Sequence, residues 1–171
     1  MKDSCPGNKT GEIFAANGLS PAELFGLFHD VLNRGLGLRI RATGTSMMPF
    51  LSGDETLVMR KVDDTSLRKG DLIFFRGRDG IPVLHRVVRR FRKDGVDMVQ
   101  TRGDALILLD DPIPVNVILC RVSEIEGKRY VNMETMIWRS VNYLLSVFYL
   151  VKSRTYLTLT SFKSLLRSAH R

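Results

Sequence analysis

The 171-residue chain has few cysteines and no long apolar run, and each shortage excludes a class of protein. Its two cysteines, Cys5 and Cys120, are too few for a disulfide scaffold and belong to no cluster with metal-ligand spacing. No stretch of about 18 uncharged apolar residues occurs, which argues against a standard membrane-spanning helix. Residues 1–20 lack the apolar core of a signal peptide and are typical of a flexible lead. We therefore expect a protein without metal or cofactor.

Acidic residues are also scarce, because 18 Asp and Glu stand against 26 Lys and Arg, for a net charge of +8. From Lys128 to the end, eight basic residues face a single acid, Glu134, so this segment carries +7 and the rest of the chain +1. Such an excess suits a nucleic acid, an anionic membrane surface or an acidic partner. Since the body is nearly neutral, a nucleic-acid partner is disfavoured.

The apolar fraction of 44% excludes a disordered chain, and the length suits one domain with an appendage or at most two very small domains. The pattern of the middle segment predicts that the domain is mainly β. A helix is expected to begin at Ser20-Pro21-Ala22-Glu23, which has the residues of a capped N-terminus, and to end at Gly35 and Gly37. Short β-rich runs follow, separated by Gly, Asp and Pro turns. The predicted strands are Leu38–Ala42, Glu55–Arg60, Leu72–Phe75, Val83–Phe91, Asp97–Thr101 and Val117–Tyr130.

After Met133 the helical pattern returns, with an apolar stripe and then a second helical stretch around Tyr156–Leu166. The stripe consists of Ile137, Val141, Leu144, Leu145, Phe148 and Val151. It is compatible with packing against the β domain, with docking on an anionic membrane or a partner, or, less well, with nucleic acid. The expected organisation is a lead and helix over 1–37, a β-rich domain over 38–131 and a basic amphipathic tail over 132–171.

Three polar segments have residues suited to chemistry. Ser46 lies in Gly44-Thr45-Ser46-Met47-Met48-Pro49, where a turn can expose both a hydroxyl and a backbone N–H to a reacting carbonyl. His85 interrupts an apolar strand, and an imidazole suits a general base near neutral pH. Asp104 and Asp110 bracket an apolar loop and have the chemistry to orient an imidazole. Each segment alone is more typical of a turn or a buried side chain, and only their order in the chain favours catalysis.

That order resembles the type I signal peptidases, in the branch shared by the endoplasmic reticulum, archaea and spore-forming bacteria. The matching blocks span roughly residues 39–122 and are Ser46-Met47 with Pro49, Gly53-Asp54, Gly70-Asp71, His85-Arg86-Val87, Gly103-Asp104 and Asp110. The resemblance implies the complex mainly-β fold shared with self-cleaving SOS repressors. It implies Ser46 as nucleophile, His85 as general base and an aspartate in support, with Asp110 the first choice and Asp104 the second.

The function implied is cleavage of a leader or signal-type precursor peptide through a serine acyl-enzyme. In the family a spanning helix precedes the serine, whereas the helix expected over Ser20–Arg34 here carries charge and cannot serve as that anchor. A cytoplasmic or membrane-peripheral location is therefore expected, with peripheral contact to anionic membrane through the tail. The alternative function is a non-catalytic module that keeps the fold and docks peptides or membrane. A DNA-binding repressor is disfavoured, because the N-terminal helix is too short for a helix-turn-helix.

Overall fold

The computed structural model describes residues 20–63 and 65–168, without the side chains of 160–168. Nearly all of the expected lead over 1–20, including Cys5, lies outside the described residues. The described chain is mainly β, as predicted, with one antiparallel sheet between two helices in the sequence. The helices are α1 (Pro21–Asn33) and α2 (Met136–Ser168). The strands are β1 (Leu38–Arg41), β2 (Thr56–Lys61), β3 (Leu72–Arg76), β4 (Pro82–Lys93), β5 (Val96–Arg102), β6 (Ile113–Pro114), β7 (Ile118–Glu126) and β8 (Val131–Asn132).

Helix α1 begins at the predicted cap. The Ser20 hydroxyl accepts from the Glu23 backbone N–H at 3.3 Å, and the Glu23 carboxylate accepts from the Ser20 backbone N–H at 2.8 Å. This reciprocal arrangement satisfies backbone donors that a helix start otherwise leaves free. The chain leaves the helix at Gly35, whose φ of +74° suits a glycine. The apolar face of α1 is buried against the sheet by Leu24, Phe25, Phe28 and Leu32.

The sheet has the order β1-β2-β7-β3-β4-β5-β6, with β8 paired to β7. Strand β3 lies near its middle and is buried on both faces, so its apolar run does not alternate with polar residues. Leu72 and Phe74 point into a core shared with α1, whereas Ile73 and Phe75 point into a second core on the opposite face. Strand β4 separates the same two cores and carries His85 and Arg86 next to each other. Because successive strand residues face opposite sides, these two polar side chains leave the sheet in opposite directions.

The tail is one continuous helix of 33 residues, so the prediction of two helical stretches is wrong. The physical reason is that residues 136–168 contain neither glycine nor proline, so no residue interrupts the helix. The polar side of α2, with Asn142, Ser146 and Ser153, is buried against the domain together with Tyr149. In the described part of the chain, no helix is long and apolar enough to cross a membrane.

Candidate active site

Ser46 lies in the loop between β1 and β2, and glycines shape this loop on both sides. Gly44 has a φ of +99° and Gly53 a φ of +94°, conformations that residues with a Cβ rarely adopt. Met47 and Leu51 are buried and anchor the loop in the core below α1. Ser46 itself is mostly buried, at 7% exposure. The loop therefore holds the serine against the domain rather than at a free surface.

His85 is held on β4 by the carboxylate of Asp110. Nδ1 of His85 lies 2.6 Å from Oδ2 of Asp110, and the same oxygen accepts from the Thr101 hydroxyl at 2.7 Å. Since a carboxylate only accepts hydrogen bonds, Nδ1 of His85 is the donor and carries the proton of the neutral ring. Nε2 is then the basic nitrogen, which is the tautomer a general base requires. The Phe75 ring packs edge-on against the imidazole, with centroids 6.5 Å apart.

Nε2 of His85 is buried and has no hydrogen-bond partner among the described residues. A buried polar nitrogen without a protein partner costs free energy, and a catalytic role is one explanation for such an exception. Gly103 borders this nitrogen: a Cβ added there would lie 2.9 Å from Nε2 and 2.7 Å from the Ser46 carbonyl oxygen. The absence of a side chain at Gly103 thus leaves a small space that the Ser46 backbone and His85 share.

The loop that follows Gly103 is tied directly to the serine. The Ala105 backbone N–H donates to the Ser46 carbonyl at 2.9 Å. At its other end, the Asp110 backbone N–H donates to the Thr101 carbonyl at 2.9 Å. One short loop therefore positions both the segment of the proposed nucleophile and the carboxylate that orients the proposed base. The structure shows no hydrogen bond from the Ser46 hydroxyl to Nε2, and contacts of this kind often tighten only when substrate is bound.

Asp104, the other aspartate considered, faces Arg86 rather than His85. Its two oxygens accept from Nε of Arg86 at 2.9 Å and from an Arg86 terminal nitrogen at 2.6 Å, and neither side chain is exposed. Arg86 also donates to the Gly70 carbonyl at 3.1 Å and to the Asn142 side chain on α2. The structure thus pairs Asp110 with His85, places the Ser46 backbone and His85 on either side of Gly103, and gives Asp104 a separate partner.

Three residues of this arrangement were not singled out from sequence, although each lies inside a segment already noted. Arg86 follows His85 directly, Thr101 precedes the Gly103-Asp104 pair by two residues, and Gly103 was noted only as part of that pair. A hydroxyl or a glycine beside a turn carries no signal of its own, because both are common in turns. The one signal that the sequence offered is an arginine placed within an apolar strand. Such a residue is expected to be buried, and a buried arginine requires a carboxylate partner.

Other reactive groups fit a catalytic role less well. Burial raises the pKa of the Cys120 thiol to about 12, so this cysteine stays protonated and is a poor nucleophile near neutral pH. Within the described residues, no group of three or more His, Cys, Asp and Glu side chains is placed to hold a metal ion. In the described part of the chain, Ser46 and His85 therefore remain the candidates for a catalytic role.

A cavity of about 540 Å³ lies elsewhere, between the turn after β2 and the start of α2. Its lining includes Arg68, Asp71, Glu134 and Arg139, and neither Ser46 nor His85 contributes to it. The pKa of Asp71 is raised, because the effect of burial outweighs the hydrogen bond from the Arg68 backbone and the charge of the nearby Arg121, which both lower it. This cavity is therefore separate from the site at His85.

Compared with known proteins, the chain matches no family model, no curated protein and no solved structure. The functional argument therefore rests on the geometry of the chain and on the order of its motifs.

Proposed function

We propose that the chain is a serine endopeptidase that cleaves a leader or signal-type precursor peptide. The observation that carries the proposal is the state of His85: Asp110 holds Nδ1, and the buried Nε2 is left without a partner beside the Ser46 segment. A purely structural histidine would be expected to satisfy both ring nitrogens. The order of motifs that resembles the type I signal peptidases supports the same assignment.

In the proposed mechanism, Nε2 of His85 takes the proton of the Ser46 hydroxyl as its oxygen bonds to the scissile carbonyl carbon. The protonated ring, stabilised by Asp110, then donates this proton to the leaving amine nitrogen as the peptide bond breaks. This leaves an acyl group on Ser46. A water molecule gives its proton to His85 and attacks the ester, and the acid product leaves as Ser46 regains its proton.

The substrate is proposed to bind as an extended strand. Strand β1 is one edge of the sheet and leads directly into the loop with Ser46. An edge strand offers unpaired backbone groups that can pair with an extended peptide.

The test needs no knowledge of the natural substrate. The purified full-length protein is incubated with a peptide library made from a bacterial proteome, and new termini are identified by mass spectrometry. The wild type is expected to generate a consistent set of cleavages. Ser46→Ala and His85→Ala are each expected to lower their rate at least about 1,000-fold, because nucleophile and base act as a unit.

Two matched controls are available. Ser52 lies in the same loop, where its hydroxyl bonds to the Glu55 carboxylate, and His29 is exposed on α1. Ser52→Ala and His29→Ala are expected to cleave like the wild type. If the wild type produces no cleavage that depends on Ser46, the peptidase assignment is overturned in favour of the non-catalytic docking module.

A further inference from the structure

Helix α2 attaches to the domain through its polar side. Ser146 and Ser153 are fully buried, and the Ser153 hydroxyl donates to the Ile107 carbonyl at 2.6 Å. Arg102 donates to the Tyr149 carbonyl at 2.6 Å, and its guanidinium lies 4.7 Å above the Tyr149 ring. These contacts fix which side of the helix meets the sheet. The opposite side is therefore the one presented outward.

The outward side of α2 is apolar over several turns. Ile137, Leu144, Phe148 and Val151 are 75%, 65%, 59% and 57% exposed, respectively. Their spacing of seven, four and three residues places them on one face of a helix. No other described segment covers this face, which we call the outer face of α2. Exposed apolar side chains in a contiguous stripe mark an interaction surface.

Cations flank this face on both sides. At about 100° per residue, Lys152 lies roughly 70° to one side of the centre of the outer face and Arg154 roughly 90° to the other. Both are exposed, and the chain from Lys128 onward carries a net charge of +7. An apolar centre with basic flanks is the pattern of a helix that lies in the plane of a lipid interface, with its cations at the headgroups.

We infer that the outer face of α2 docks on an anionic lipid bilayer. A second copy of the chain is the main competitor for this face, but two such helices would bring two segments of +7 together. A nucleic acid would require cations at the centre of the surface rather than at its flanks. The apolar stretch from Ile137 to Val151 is about 21 Å long, which suits a helix lying on the surface.

The docking would hold the proposed active site next to the membrane. Ile107 and Leu108, in the loop between Asp104 and Asp110, are 42% and 54% exposed, and the Ser153 bond joins this loop to α2. The consequence for precursor cleavage rests on the proposed function. Membrane docking itself does not rest on the proposed function, since it depends only on the outer face of α2 and on the charges beside it.

The test is flotation of the full-length protein with vesicles. One set contains phosphatidylcholine alone, and the other contains phosphatidylcholine with phosphatidylglycerol. The protein is expected to float with the anionic vesicles, to bind the neutral ones much more weakly, and to be released in part by raised salt. Failure to bind the anionic vesicles would overturn the inference.

Variants of the outer face locate the contact. Leu144→Ser/Phe148→Ser is expected to weaken vesicle binding more than about 100-fold, because two large apolar side chains no longer enter the interface. Lys152→Ala/Arg154→Ala is expected to weaken it about 30-fold on anionic vesicles and little on neutral ones. All four residues are exposed, so thermal unfolding followed by circular dichroism should show an unchanged fold.

The matched control removes exposed apolar side chains elsewhere. Val96 and Tyr130 are 48% and 61% exposed, and Val96→Ser/Tyr130→Ser should bind vesicles like the wild type. Equal binding by Leu144→Ser/Phe148→Ser would overturn the inference. So would a dimer in sedimentation equilibrium that this same variant dissolves, which would assign the face to a second copy. Ser46→Ala is expected to float normally, so that the docking and the peptidase proposals can fail separately.

Discussion

Strand β4 presents two neighbouring side chains, His85 and Arg86, and each binds a carboxylate from the same loop on opposite sides of the sheet. Arg86 holds Asp104 through two short bonds, and its remaining nitrogen, Nη1, donates to both the Gly70 carbonyl and the Asn142 side chain. His85 holds Asp110 through one nitrogen and leaves the other without a partner. The first pair is closed and fully buried. The second is open on one side.

In our proposal, this difference gives one loop two roles. A closed buried pair fixes the loop because moving either group would strand a charge away from water. The open His85–Asp110 pair keeps a basic nitrogen available. The closed Arg86–Asp104 pair fixes the position of the loop that carries both aspartates. We therefore assign the Arg86–Asp104 pair to stability and the His85–Asp110 pair to the proposed chemistry. Each assignment can be tested by removing the carboxylate.

The largest effect is expected at Asp110. Asp110→Asn should lower the cleavage rate about 10⁴-fold, or about 5 kcal/mol on the barrier, because an amide that donates to Nδ1 of His85 selects the wrong tautomer. Stability should change little, since Asp110 is partly exposed. Asp111→Asn is the matched control, because the neighbouring carboxylate is 64% exposed and pairs only with Arg78 in the described structure. Equal rates for the two variants would remove Asp110 from the site.

The next effect is expected at Asp104 and concerns folding. Asp104→Ala should lower the free energy of unfolding by about 3–5 kcal/mol, because it leaves the Arg86 charge buried without its partner. Urea denaturation followed by circular dichroism measures this loss. The double variant Arg86→Met/Asp104→Leu should recover much of it, since neither charge remains. A stable Asp104→Ala that no longer cleaves would instead place Asp104 in the catalytic machinery.

The smallest effect is expected at Thr101, which sharpens the comparison by loosening only the open pair. Thr101→Val keeps the shape of the side chain but removes the hydroxyl that bonds to Asp110. We expect kcat to fall about 10-fold with an unchanged KM, because the hydroxyl positions the carboxylate and does not touch substrate. A change in KM alone would show that Thr101 acts on substrate binding.

Much of the fold follows from local patterns. The cap at Ser20 and the turn glycines locate α1 and the six long strands, since these signals depend on neighbouring residues. The strand predicted over Val117–Tyr130 is too long, because β7 ends at Glu126 and the chain then turns into β8. Strand β3 was recognisable by its length and its bounding turns, although it lacks alternation. The two-residue strands β6 and β8 were not expected, because pairs this short form only where a partner strand is already in place.

Sequence patterns did not predict the orientation of α2 on the sheet. An apolar stripe ordinarily faces the core, yet here the small polar side of the helix does so. One reason is distant in sequence: a Cβ added at Gly70 would lie 2.5 Å from the Asn142 backbone, so the glycine allows the backbone of α2 to approach closely at this point. Buried Arg86 and Arg102 then require oxygen partners, which α2 supplies.

The choice between Asp104 and Asp110 was likewise left open by sequence. Both follow β5 at a turn, and nothing local distinguishes their carboxylates. Tertiary structure distinguishes them, because His85 and Arg86 face opposite sides of β4 and each carboxylate meets the side chain within its reach. Ser46 and His85 were proposed as nucleophile and base only because of the order of the motifs, and these roles stay predictions.

The central strand β3 also determines how the protein unfolds. Its side chains belong alternately to the two cores, so neither core can lose its packing without exposing a strand that the other one needs. Unfolding should therefore be a single cooperative event, with no intermediate that keeps one face of the sheet intact. The amide hydrogens near Ile73 and Phe74 would then exchange only through global unfolding. Those of the neighbouring residues of β4 would exchange at the same slow rate.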